Sequence, residues 1–261
     1  MKPVALTPEE IAFARSLILY QDDDILVLNK PAGLSSQGGR IAVHTLDELL
    51  WAFAKSSGVR PRLIHRLDRD TSGVILTARS APGAAFLGKA MMARKVRKTY
   101  LAIVAPGAPD PREGKIEAAL RRENQGREAY VRVCEPEHPD AQPAATHYRT
   151  LAGNAVAALV ELSPRTGRMH QLRVHLASIG RPIAGDPRYG GALVLAGAPV
   201  PRLMLHAVAL SFPHPAGGEK RVEAVIPPDM AAALDALRLA APTRWSVAGD
   251  GATMQADEPM I

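Results

Sequence analysis

Nine consecutive residues, His65-Arg66-Leu67-Asp68-Arg69-Asp70-Thr71-Ser72-Gly73, form the densest polar cluster of the 261-residue chain. They lie between a proline-containing segment and the apolar run that opens at Val74, which places them on a turn at a sheet edge. A carboxylate flanked by guanidinium groups at such a turn is held ionised, as a nucleophile or a stabiliser of developing positive charge requires. The same residues also suit a solvated loop in which Asp68 and Asp70 pair with neighbouring arginines, the commoner use of such charges. Composition alone leaves both readings open.

Five histidines, His65, His170, His175, His206 and His214, raise the question of a metal. His170 and His175 are five residues apart, about 140° around a helix, and share no ligand face. No acidic or cysteine cluster accompanies them, so the expectation is hydrogen-bonded structural histidines and no bound metal.

The elements that must position these residues follow from patterning. Thr7 with Glu10 and Thr45 with Glu48 are capping boxes that start helices, the first aided by Pro8 and the second running through Leu49, Leu50 and Phe53. Apolar runs at 25–28, 74–78, 99–104 and 156–162, and alternation at 129–133 and 145–151, predict strands. Strand pattern returns at 203–212 and 222–226. Helices are expected over 82–94, over 169–179 ending at Gly180, and over 229–239. Residues 106–114 read as a surface loop. The irregular interleaving predicts an α+β fold.

The formal charge is +6 and the pI near 9.7, which suits a polyanionic partner and many other soluble proteins. The single Cys134 allows no internal disulfide and fits a reducing compartment. No apolar run reaches membrane-span length, and the start turns acidic and polar where a signal would have its apolar core. The expectation is a cytoplasmic, soluble chain.

Residues 65–73 resemble the H-R-L-D-x-x-T-S-G signature of the RluA family of RNA pseudouridine synthases. Asn29-Lys30-Pro31-Ala32-Gly33-Leu34 is similar to the family's N-K-P-x-G-L segment, and Lys98-Thr99-Tyr100-Leu101-Ala102 to its K-x-Y-x-A strand. Thr166 to Leu176, with Gly185-Asp186 and Tyr189-Gly190 beyond it, resembles its T-G-R-x-H-Q-L-R-V-H helix. Arg202 to Ala207 and His214-Pro215 complete the set, five motifs in family order across roughly residues 17 to 228.

The resemblance implies a single mixed, mainly antiparallel sheet flanked by helices and loops, and a cofactor-free isomerisation of uridine within RNA. It assigns Asp68 as the catalytic carboxylate, Arg173 as its ion-pair partner and Tyr100 as the tyrosine beneath the uracil. Arg66 corresponds to the arginine that enters the RNA stack vacated by the target nucleotide, an extrusion that costs a few kcal/mol. Lys30, Lys98, Arg165 and Arg168 are expected phosphate contacts. Ile75 and Leu203 are expected either to line the pocket or to pack in the core.

The implied organisation is an N-terminal helical extension over 1–16, a catalytic domain over 17–239 and a loose tail over 240–261. Many relatives carry an S4-type RNA-binding module ahead of the catalytic domain. Its absence here resembles the shorter members, which points to a compact tRNA or 23S rRNA stem-loop as substrate. A monomer is the expected state. Two other classes compete with this reading: a non-catalytic RNA binder, which has no use for an aspartate facing phosphates, and a hydrolase using Asp68 with Asp70. Two residues apart on an extended turn, those carboxylates would point in different directions.

Overall fold

The computed structural model describes residues 4–38, 44–126, 128–195, 197–242 and 245. Among the described residues, fourteen strands form in chain order. The first five are β1 (Ile18–Gln21), β2 (Ile25–Lys30), β3 (Arg62–Leu63), β4 (Ser72–Ala78) and β5 (Arg97–Val104). Then come β6 (Glu113–Glu117), β7 (Ala119–Gln125), β8 (Glu128–Cys134), β9 (Ala145–Gly153) and β10 (Ala158–Pro164). The last four are β11 (Val194–Leu195), β12 (Ala198–Pro199), β13 (Leu205–Pro213) and β14 (Glu219–Glu223). The α-helices are α1 (Pro8–Ser16), α2 (Leu46–Leu49), α3 (Ala81–Met92), α4 (Gln171–Ser178) and α5 (Pro228–Ala236).

Ten strands share one sheet, in the order β1-β2-β4-β13-β5-β10-β9-β6, with β14 beside β13 and β3 beside β4. Every pair in it is antiparallel except β4 with β13. The central strands read as continuous apolar runs because both faces are covered. On β2, Leu26 and Leu28 join the main core while Ile25 and Val27 face the other side, under α3. The α+β expectation and the mainly antiparallel sheet are both realised.

The β4–β13 contact fixes where the polar cluster ends. Ser72 pairs with His206 and Gly73 with Ala207, and the Ser72 hydroxyl lies 2.9 Å from His206 Nδ1. Gly73 has φ +117°, and a Cβ there would sit 2.1 Å from the Ala207 carbonyl oxygen. Only glycine lets the strands approach this closely.

Both expected capping boxes form, and α1 packs against α2 and the turn after it. That turn, Leu50–Phe53, is 3-10 rather than α-helical. Two strands went unforeseen in the Pro-rich region and after it. On β7 only Leu120 is buried, so no alternation marks the strand. It pairs with β8 as a hairpin outside the main sheet, held by a small cluster of Leu120, Val131, Ala144 and Val174 against Tyr189. Of the tail expected from residue 240, all but 240–242 and Trp245 lies outside the described residues; Trp245 packs against the main core.

Candidate active site

The segment Lys30–Leu34 clamps the Asp68 turn. Lys30 Nζ donates to the carbonyls of Pro31 (2.8 Å), Leu34 (2.8 Å) and Arg69 (2.9 Å). Gly33 N–H donates to Arg69 O at 2.9 Å, and Arg69 Nε returns a bond to Gly33 O at 3.1 Å. Ser36 Oγ donates to Leu67 O and accepts its N–H, at 2.7 and 3.1 Å. At the head of the turn, Leu76 N–H donates to His65 Nε2 at 3.1 Å. The carboxylate therefore hangs from a backbone fixed on both sides.

These contacts correct the expectation for Lys30. It is fully buried and tied to the protein's own carbonyls, so it cannot reach a phosphate. Burial pushes its pKa down to about 7, opposed by Asp70 and Asp68. Its three carbonyl acceptors match the three N–H bonds of the ammonium form, so the socket is built for the charged side chain.

Arg173 projects from α4 and is buried, and its closest partner is Asp186. Nε and Nη2 donate to the two Asp186 oxygens, both at 2.7 Å, while Nη1 lies 3.8 Å from Asp68 Oδ2. The bidentate pair sets the guanidinium's plane. Burial works against its charge; the Asp186 hydrogen bonds and charge, then Asp68, more than offset this and raise its pKa. Asp186 Oδ1 also accepts the N–H groups of Arg188 and Tyr189 at 2.9 and 3.2 Å. The expected pairing of Arg173 with Asp68 forms through the third nitrogen, and Asp186, which the sequence did not point to, holds the other two.

Thr166 and Gln171 close the turn before α4. The Thr166 hydroxyl and Arg168 N–H both donate to Gln171 Oε1, at 2.7 and 3.1 Å. Gln171 Nε2 donates to Ala145 O and Thr146 Oγ1, both at 3.0 Å. His170, between them, takes a left-handed backbone (φ 52°, ψ 17°), and the regular helix starts only at Gln171. Its Nε2 lies 3.9 Å from Asp68 Oδ2. Sequence reasoning set His170 aside as structural and gave Asp186 no role; neither contact has a periodic signature. The other four histidines hydrogen-bond within the fold: His65 to Leu76, His175 to Thr146 and Ala118, His206 to Ser72, His214 to Asp22.

Asp68 opens into a cleft of about 1270 Å³ between the main sheet and the β7–β8 hairpin. Sites for drug-sized molecules span roughly 300–1,000 Å³, so this one suits a polymer. Among the described residues, eleven arginines and lysines line it against two carboxylates, Asp68 and Glu117. Arg66, Arg165 and Arg168 are exposed along it, and Lys98 borders it with its pKa lowered by burial. Tyr100 faces the cleft from β5; burial and the Asp68 charge raise its pKa, so the phenol stays neutral. Ile75 and Leu203 take the core alternative: both pack in the main cluster, while Leu67, Leu172 and Leu205 are among the apolar residues that line the cleft. Asp70 is not part of the lining, which removes the support for a paired-carboxylate hydrolase.

One group of three possible metal ligands lies elsewhere among the described residues: Asp22, Asp24 and His214. The Asp22 carboxylate there already bonds Tyr20 OH, His214 and the N–H groups of Asp24 and Ile25.

Residues 24–178 match the model of the RNA pseudouridylate synthase family. The chain is 38% identical over 237 residues to ribosomal large subunit pseudouridine synthase C of Escherichia coli K12, covering 88% of this chain and 72% of that protein. To ribosomal large subunit pseudouridine synthase D of Nitrosomonas europaea it is 37% identical over 230 residues, 85% of this chain and 65% of the relative. Human RNA pseudouridylate synthase domain containing 4 superposes with a TM-score of 0.75 at 29% identity, over 90% of this chain and 99% of that one. A cleft that gathers positive charge around one fixed aspartate, five motifs in order and these likenesses agree: the chain belongs to the RNA pseudouridylate synthase family, in its RluA group, and is an RNA uridine-to-pseudouridine isomerase.

Proposed function

We propose that this enzyme modifies a uridine of large-subunit ribosomal RNA, with Asp68 as the catalytic carboxylate. The observation that carries the reading is the placement of Asp68 on a doubly clamped turn, inside a cleft whose other charges are almost all positive. The relatives named for the ribosomal large subunit favour 23S rRNA over tRNA.

The chemistry is redox-neutral. The bond from ribose C1′ to uracil N1 breaks, the base turns, C1′ joins C5, and the C5 proton is lost while N1 gains one. No outside group is consumed, so no cofactor is required. Asp68 either attacks at C1′ or stabilises the positive charge that develops there. Arg173, fixed by Asp186, holds positive charge beside it. Tyr100, neutral at the cleft wall, supports the uracil and is placed to take part in proton transfer at C5.

A stacked uridine cannot reach Asp68, so the nucleotide must leave the stack. Arg66 is exposed two residues before Asp68, and its planar cation can fill the vacated space. Arg165, Arg168 and Lys98 then contact the flanking phosphates. In this reading residues 17–239 are the catalytic unit, acting as a monomer in the cytoplasm without a metal.

The test is to incubate the purified enzyme with 23S rRNA and tRNA transcripts and map pseudouridine by carbodiimide adduct and primer extension. Modification of discrete 23S uridines supports the assignment. Modification of tRNA alone overturns the substrate choice.

A further inference from the structure

The ring of His170 is held by more than its backbone. Its Nδ1 lies 2.7 Å from the hydroxyl of Tyr189. That hydroxyl oxygen already accepts the N–H of Val131, on β8, at 3.1 Å. A phenol carries one proton, and with Val131 donating, the proton is free for His170 Nδ1. Nδ1 is then the acceptor, and in a neutral ring the remaining proton sits on Nε2. Nε2 is the atom that faces Asp68. Burial lowers the pKa of the ring and Asp68 opposes this, with a net lowering that favours the neutral form.

A left-handed backbone on a non-glycine residue is uncommon and costs free energy that surrounding structure must offset. Here the bonds of Gln171 to Thr166 and Ala145 hold the residues on either side of it, and the ring's Nε2 faces the carboxylate. The separation of 3.9 Å is beyond a hydrogen bond, as is common for catalytic contacts that tighten only when substrate is bound.

We propose that His170 is a positioning residue for Asp68: a chain from Val131 N–H through Tyr189 O–H fixes the tautomer whose Nε2–H orients the carboxylate toward the reacting ribose. Arg173 reaches Asp68 Oδ2 at 3.8 Å and His170 reaches the same oxygen at 3.9 Å. The two donors leave Oδ1 for the substrate. The chain begins on the hairpin that also carries Arg121 and Arg122 into the cleft, so the RNA-facing arm and the carboxylate share one frame.

The inference rests on Asp68 being the catalytic carboxylate, and two variants separate reach from backbone. Asparagine tolerates the left-handed conformation but is too short to reach Asp68; glutamine presents an N–H near the position of Nε2. With the full chain and an RNA it modifies, His170→Asn should lower kcat about tenfold, the worth of one orienting hydrogen bond, with KM nearly unchanged. His170→Gln should recover most of that loss, with melting temperatures of the two variants alike. Asparagine at the wild-type rate, or both variants equally slow with KM raised, would overturn the proposal.

Histidine 15N shifts of the full chain provide a readout independent of activity. At neutral pH His170 should be protonated at Nε2, and Tyr189→Phe should erase that preference. The opposite tautomer in the wild type overturns the relay. A correct tautomer in an enzyme inactive on every RNA would instead place the failure with the activity reading.

Discussion

Asp186 controls the charge beside the Asp68 carboxylate without itself lining the cleft. It is buried, accepts both arms of Arg173, and also caps the N–H groups of Arg188 and Tyr189. Asp186→Asn keeps the shape but leaves a buried guanidinium without its counter-charge. Removing one partner of such a pair costs about 3–5 kcal/mol. The variant should unfold at clearly lower urea concentration and lose activity through kcat. A stability within 1 kcal/mol of wild type, a threshold set well below that cost, would show that Arg173 is held by something else. His206 gives a pH dependence at the same scale. Burial lowers its pKa from the ordinary 6.5 to about 4, so the unfolded chain binds the extra proton first as pH falls. Its contribution to stability is intact above pH 6.5 and is lost progressively toward pH 4. Between pH 6.5 and 5 the loss should be about 2 kcal/mol, measured by urea unfolding, and His206→Gln should flatten that slope.

At the scale of elements, the parallel β4–β13 contact determines where the Asp68 turn ends. Gly73→Ala places a methyl against the Ala207 carbonyl and strains a φ of +117°. It should cost roughly 3 kcal/mol or more, read as a fall in melting temperature that exceeds that of an alanine placed at the open Gly167. The buried strands were legible because burial on two faces writes itself as an apolar run: β2, β4, β5 and β10 were all anticipated within a few residues. The hairpin strand β7 was not, since one buried side chain, Leu120, leaves no period. The turn at 65–73 and the helix α4 were legible from polarity and period, but their place in one site only from the family motifs. Their partners were only partly legible because contacts between Lys30 and Arg69, or Arg173 and Asp186, are set by tertiary approach. Lys30 was expected at the surface because lysine is rarely buried without a partner, and its partners are backbone carbonyls, which no side-chain pattern reveals.

At the scale of the molecule, positive charge gathers along the cleft. The formal net charge is only +6, yet the cleft alone collects eleven basic residues against two acidic ones. Binding that replaces condensed counterions weakens steeply with salt, by about 0.7–0.9 in log–log slope per phosphate neutralised. If Arg165, Arg168 and Lys98 each meet a phosphate, replacing any one with alanine should reduce the slope by about that amount. An unchanged slope for all three would remove them from the interface. The fold supports this division of labour: β5 carries Tyr100, the clamped turn before β4 carries Asp68, α4 carries Arg173, and a hairpin outside the main sheet completes the cleft.

The most direct test of the central claim compares the wild type with Asp68→Asn for tritium release from C5-labelled uridine in a 23S rRNA transcript. Asparagine preserves shape and hydrogen-bonding reach but carries no negative charge. The account predicts release by the wild type, and none above background from Asp68→Asn while RNA binding persists. Release by the variant at a rate comparable to wild type would contradict it and move the chemistry to another residue.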